Sequence, residues 1–245
     1  MKPLFDLTAH LGTMTRTVRN LERDGKPAAA VIASRVFPTT TADLWDALTT
    51  PSRIARWFLP VTGDLKLGGR YQFQGNAGGT ITACEPERRI EATWEFGGGV
   101  SWIIVSVAAV KDGARLELEH IAHVDNDHWK QFGPGAVGVG WDMGFMGLAM
   151  HLHDPATAMK PEDAPAWFAT DEYKETVRVT AADWGRAHVA ADPAHADAAL
   201  ASAEQTRKFY VGELPPPSAP TDATTATSTA STDGTAPGAG DPPSP

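Results

Sequence analysis

The stretch from residue 70 to residue 124 constrains the fold more than any other part of the chain. It breaks into short alternating runs at 70–74, 80–84, 90–96, 100–110 and 114–124, punctuated by Asn76-Ala77-Gly78-Gly79, Gly97-Gly98-Gly99 and Asp112-Gly113. Parallel strands need a crossover of a dozen or more residues, so runs this closely spaced predict an antiparallel meander. In the last run Leu116, Leu118 and His120 share one face while Glu117 and Glu119 share the other, which predicts a sheet with a dry side and a wet side.

Before the meander, residues 13–22 and 28–37 read as two strands joined by Asp24-Gly25-Lys26-Pro27, because an Asp-Gly pair supplies the positive φ of a tight turn. Thr39-Thr40-Thr41 offers an N-cap for a helix carrying Leu44, Trp45 and Leu48. Pro51-Ser52 breaks that helix and starts a short second one with Ile54, Trp57 and Phe58 on its apolar face.

After the meander, residues 135–152 are almost wholly apolar. Val137, Trp141, Phe145, Leu148 and Leu152 recur at helical spacing, and Met143, Met146 and Met150 occupy the other faces, with Asp142 as the one charge. A helix apolar all round must be covered all round, so a sheet cannot be its only neighbour. Helices expected at 161–191 and 194–212 would supply the second cover, with Phe168, Val177, Trp184, Leu200 and Phe209 buried and Gly212 as a C-cap. A homodimer interface on an otherwise monomeric chain would serve equally well.

Composition sets further bounds. Residues 213–245 are mostly Pro, Thr, Ser, Ala, Gly and Asp, too poor in apolar surface to offset the entropy of ordering, which predicts a disordered tail. The net charge is −9, and no Lys/Arg run with interleaved aromatics is present, which argues against nucleic acid or an anionic membrane as partner. Residues 1–15 lack the apolar core of a secretory signal, and no run reaches the length of a membrane span, so a cytoplasmic location is expected. Cys84 stands alone, which excludes an intrachain disulfide and any multi-cysteine metal site; it reads as a small packing residue.

The order of strand, two short helices, meander and long apolar helix resembles the START/SRPBCC superfamily. The run from Trp45 through Leu48-Thr49-Thr50-Pro51 to Trp57-Phe58 is similar to the helix pair of proteins related to the C-terminal domain of the activator of heat-shock-protein-ninety ATPase. Gly68-Gly69-Arg70-Tyr71 with Phe73, Glu85-Pro86 leading to Thr93-Trp94-Glu95, and Gly140-Trp141 extend the likeness over residues 28–153. The resemblance implies an α+β helix-grip (START-like) fold, a curved antiparallel sheet around a long helix with an added C-terminal helical segment. The expected division is a helix-grip domain at 1–153, a helical extension at 154–212 and the tail at 213–245.

A cavity is implied as well. Trp57, Phe58, Tyr71, Phe73, Trp94, Trp102, His120, Trp141 and Phe145 are the side chains expected to line it, an apolar set with few polar groups, as ligand pockets usually are. Trp57-Phe58 would plug one mouth. His120 is the best single candidate for acid–base work, with a hydrogen-bonded structural histidine as the competing role. His120 and His123 lie three apart on a strand and face opposite sides, so they cannot share a metal. His151 and His153 at the helix end are expected to face solvent. Neither a catalytic constellation, nor a metal set, nor a cofactor motif is visible. The expected function is non-catalytic binding of a hydrophobic small molecule, with a chaperone-activator-like interaction domain or a cyclase-like enzyme as alternatives.

Overall fold

The structure of the protein, a computed structural model, describes residues 11–156, 159 and 163–214. The tail expected to be disordered lies outside the described residues from 215 onward, as do positions 161 and 162 of the first expected C-terminal helix.

The chain runs β1 (Thr15–Arg23), β2 (Lys26–Phe37), α1 (Thr41–Thr49), α2 (Pro51–Trp57), β3 (Val61–Gly63), β4 (Arg70–Phe73), β5 (Gly78–Glu85), β6 (Arg89–Phe96), β7 (Gly99–Val110), β8 (Gly113–His123), α3 (Asp127–Phe132), α4 (Gly135–His153), α5 (Ala164–Phe168), α6 (Asp171–Ala191) and, after a short 3-10 turn, α7 (Ala196–Tyr210). All eight strands form one antiparallel sheet in the order β1-β2-β8-β7-β6-β5-β4-β3. The hairpin turn is made by Asp24 and Gly25, both at positive φ, as the sequence requires. The Thr40 hydroxyl accepts from the Asp43 amide at 3.1 Å and caps α1, and Pro51 opens α2 where its missing N–H is not needed.

Two short elements were not legible. β3 pairs through only three residues, too few for a period to show. α3, read as a polar connection, has Phe132 as its one buried residue and is capped by Asn126, whose side chain accepts from the Trp129 amide at 2.8 Å.

α4 meets a different neighbour on each side. Trp141, Gly144, Phe145 and Leu148 form the stripe that faces the sheet. Gly138 faces α6, where an added Cβ would lie 2.4 Å from the Trp184 ring, and Gly147 faces α2, where it would lie 2.4 Å from the Trp57 carbonyl. These two glycines therefore admit a tryptophan and a neighbouring helix. Trp184 and Val177 are fully buried beneath α6, so the second face of α4 is covered within the chain. Phe168 and Leu200, expected inside, are 48% and 52% exposed: α5 buries no residue and Leu200 falls on the outer side of α7.

The charge within α4 is buried with its partners. Asp142, 1% exposed, accepts from Arg16 Nε of β1 at 2.9 Å and from Trp184 Nε1 at 3.0 Å, and Arg16 Nη1 donates to Asp183 at 3.0 Å. β1, α4 and α6 are clipped together at this point. Burial pushes the Asp142 carboxyl up to about 6 even though Arg16 and Trp184 pull it down.

The sheet's outer side is less wet than the Glu117/Glu119 alternation implies. Ala28, Ala30 and Ile121 are buried there with Leu21, Ile32, Trp102 and Ile104 packed against them, under an Arg23 guanidinium 4.3 Å from the Trp102 ring centre.

Candidate functional site

Cross-strand register places the site. One inward row runs Cys84, Ile90, Val105, Leu118 across β5, β6, β7 and β8, and the next runs Ile81, Ala92, Ile103, His120. Leu116 continues the inward face of β8. Above these rows lies the α4 stripe of Trp141, Gly144, Phe145 and Leu148, and at the side stand Leu48, Thr49, Ile54, Trp57 and Phe58 from the α1–α2 pair. The small residues Ala92 and Gly144 leave room on the two facing walls. The space between is a pocket of about 160 Å³, room for on the order of ten waters.

The pocket has two kinds of wall. Ile54, Ile81, Ile90, Val105, Leu116, Leu118 and Leu148 give branched aliphatic surface. The rings of Phe58, Phe73, Trp94 and Trp141 pack on one another: Phe58 stacks on Trp141 at 6.0 Å and 17°, meets Phe73 edge-on at 5.0 Å, and Trp94 lies 5.1 Å from Trp141. Lys66 and Cys84 are the exposed lining residues and mark where the pocket meets solvent. Cys84, expected as a packing residue, is thus an exposed thiol at a rim.

Of the residues singled out from sequence, Trp57, Phe58, Tyr71, Phe73, Trp94, Trp141 and Phe145 are brought together around this pocket. Trp102 is not. It pairs with Ile121 and points to the outer side of the sheet, against Arg23 and His123. Strand β7 is apolar on both faces, with Ile103 and Val105 inward and Trp102 and Ile104 outward, so hydrophobicity could not tell its sides apart.

His120 is not a lining residue either. It points inward but sits behind the rings of Trp94 and Trp141, 2% exposed. Its Nδ1 accepts from Trp141 Nε1 at 3.0 Å, which leaves the proton on Nε2 to donate to Ser101 Oγ at 2.8 Å, and Ser101 Oγ donates to the Trp94 carbonyl at 3.1 Å. Burial pushes its pKa down to about 4, so it is neutral near pH 7. With both ring nitrogens engaged, His120 serves as a bracket that fixes Trp141 against the sheet. His123 faces the opposite side, where Nε2 pairs with the Arg23 carbonyl at 3.1 Å.

His151, expected to face solvent, is 2% exposed under the α1–α2 pair, with Nε2 3.4 Å from Arg53 Nε. Arg53 also bonds Asp43 and Asp46 at 2.8 Å each. Burial, and then the Arg53 and Arg56 charges, hold its pKa below the usual histidine value. The pocket residues that sequence reading missed are Gly144 and the aliphatic ones, which look like any other core positions in the chain, together with Thr49, Lys66 and Cys84.

Comparison with known proteins fits this geometry. Residues 38–153 match the family described as Activator of Hsp90 ATPase homolog 1-like protein. The crystal structure of CalU16 from Micromonospora echinospora is 30% identical over 69% of this chain and 96% of its own, with a TM-score of 0.55. The chain belongs to this Activator of Hsp90 ATPase homolog 1-like family, within the START/SRPBCC superfamily. The solution structure of CalU16 agrees, at 26% identity over 79% of this chain and 96% of that one, with a TM-score of 0.57. No curated protein matches the chain. The family match begins just after the β1–β2 hairpin and ends with α4, so the Arg16–Asp142 clip ties the matched region to elements on either side of it.

Proposed function

We propose that the chain binds a small apolar molecule in the pocket between α4 and the sheet and performs no chemistry on it. The observation that carries this reading is the state of the wall. Apart from Lys66 and Cys84 at the rim, its polar side chains are Thr49, Trp57, Tyr71, Trp94 and Trp141, and all but Trp94 spend their donors inside the protein. Thr49 Oγ1 donates to the Trp45 carbonyl at 2.8 Å, Trp57 Nε1 to that of Ala47 at 3.0 Å, Tyr71 Oη to that of Thr93 at 2.7 Å, and Trp141 Nε1 to His120. A wall built this way favours carbon and offers no acid–base pair, since His120 lies behind it with both nitrogens engaged.

Calorimetric titration with indane, a rigid bicyclic hydrocarbon, tests the reading. Gly144 lines the pocket, and a Cβ added there meets only Phe58 at 3.8 Å and Trp141 at 4.0 Å, ordinary contact distances. Gly144→Leu, whose side chain extends from that Cβ toward the lining rings, is the blocking variant. Saturable binding of indane that weakens at least tenfold in this variant is expected. Binding of equal strength in both proteins would locate it elsewhere and defeat the proposal.

The family description supports a second reading, in which the folded domain stimulates a chaperone ATPase. ATP hydrolysis by a purified chaperone of the ninety-kilodalton class, measured with and without the chain, tests it; an unchanged rate rejects it.

A further inference from the structure

Trp94 is the exception in the pocket wall. Its ring is hemmed by Phe73 at 5.8 Å, His120 at 5.9 Å and Trp141 at 5.1 Å. None of them accepts a hydrogen bond from it: Phe73 has no acceptor, Trp141 is a donor, and both nitrogens of His120 are already used by Trp141 and Ser101. No hydrogen bond to the Trp94 indole N–H exists among the described residues, and this nitrogen is not among the buried polar atoms cut off from solvent.

An indole N–H can only donate, and a buried one usually finds a partner. Every other indole or phenol in the wall follows that rule here.

We infer that the Trp94 indole N–H is the specificity-determining donor of the pocket, and that the ligand is an uncharged, largely cyclic hydrocarbon skeleton bearing a single hydrogen-bond acceptor such as a ketone or ether oxygen. This rests on the pocket being a binding site. The wall adds two restrictions. A second polar group on the ligand would find no free donor among the interior side chains, and a carboxylate would find no cation deeper than Lys66, which is exposed at the rim and paired with Asp64. A hydrogen-bond donor on the ligand would gain nothing from an indole.

The test is a matched pair, indane and 1-indanone, which share a skeleton and differ by one carbonyl. Titrated into the wild type and into Trp94→Phe, which keeps an aromatic ring and removes the N–H, the ketone is expected to lose about tenfold more affinity than the hydrocarbon, as one hydrogen bond to a desolvated carbonyl warrants. Equal losses for both ligands would assign Trp94 a packing role only and overturn the inference, while leaving the pocket as a binding site. Failure of both ligands to bind the wild type would remove the inference together with the reading it rests on. Should Trp94→Phe fold poorly, the wild type alone decides: the Trp94 indole N–H proton resonance moves downfield with 1-indanone and not with indane, and identical movement with both overturns the assignment.

Discussion

Gly138 and Gly144 lie on the same helix and respond oppositely to one added methyl group. At Gly138 the Cβ would press into the fully buried Trp184 ring at 2.4 Å, so Gly138→Ala is expected to destabilise by about 1–3 kcal/mol. At Gly144 the same atom meets nothing closer than 3.8 Å, and alanine is the better helix former, so Gly144→Ala is expected to stabilise by about 0.5–1 kcal/mol. Chemical denaturation of the two variants checks the pair. Residue by residue, the sequence announced the aromatic part of the wall because Trp and Phe at strand and helix positions are conspicuous. It could not announce that Trp102 turns outward, since β7 is apolar on both faces, nor that His120 lies behind a tryptophan, since that depends on where α4 crosses the sheet. His151 was misread because helix-end histidines are usually wet, and here the α1–α2 pair folds over it.

Among elements, the long apolar helix was the most informative. Its lack of a polar face demanded two layers of cover, and the structure supplies the sheet on one side and α6 and α7 on the other. What joins the layers is polar: Arg16 from β1, Asp142 from α4, Asp183 from α6. Removing one member of a buried ion pair leaves the other charge unpaired, which typically costs about 3–5 kcal/mol. Arg16→Ala should therefore lower the unfolding free energy by that order, and should do so more than Arg207→Ala, whose Glu204 and Glu213 partners are about half exposed. Unfolding midpoints of the two variants, measured side by side, decide this. Elements shorter than about two periods, β3 and α3, escaped the sequence because so few positions make no pattern.

At the scale of the molecule, His120 and Asp142 contribute to the acid response with opposite signs. His120 is held at about 4, below its ordinary 6.5, so the unfolded chain binds the extra proton between these values; the His120 contribution is complete above pH 6.5 and is lost as pH falls toward 4, about 3 kcal/mol in all. Asp142 is raised to about 6, so the folded chain binds the extra proton between about 4 and 6, and its burial penalty is relieved as pH falls through 6. The contributions of these two groups oppose each other between pH 6.5 and 4.5, so Asp142→Asn should lose stability more steeply than the wild type over that interval and His120→Gln less steeply. Thermal unfolding as a function of pH in the three proteins reads this directly, and parallel curves would contradict it.

All of these features serve one arrangement, a helix held off a curved sheet so that a space remains between them. Native mass spectrometry of the full chain, purified without denaturant and compared with the Gly144→Leu variant, tests that claim most directly. The account predicts a non-covalent adduct on the wild type, released on denaturation and absent from the variant, whereas a clean protein mass for both, unchanged when indane is added, would contradict it.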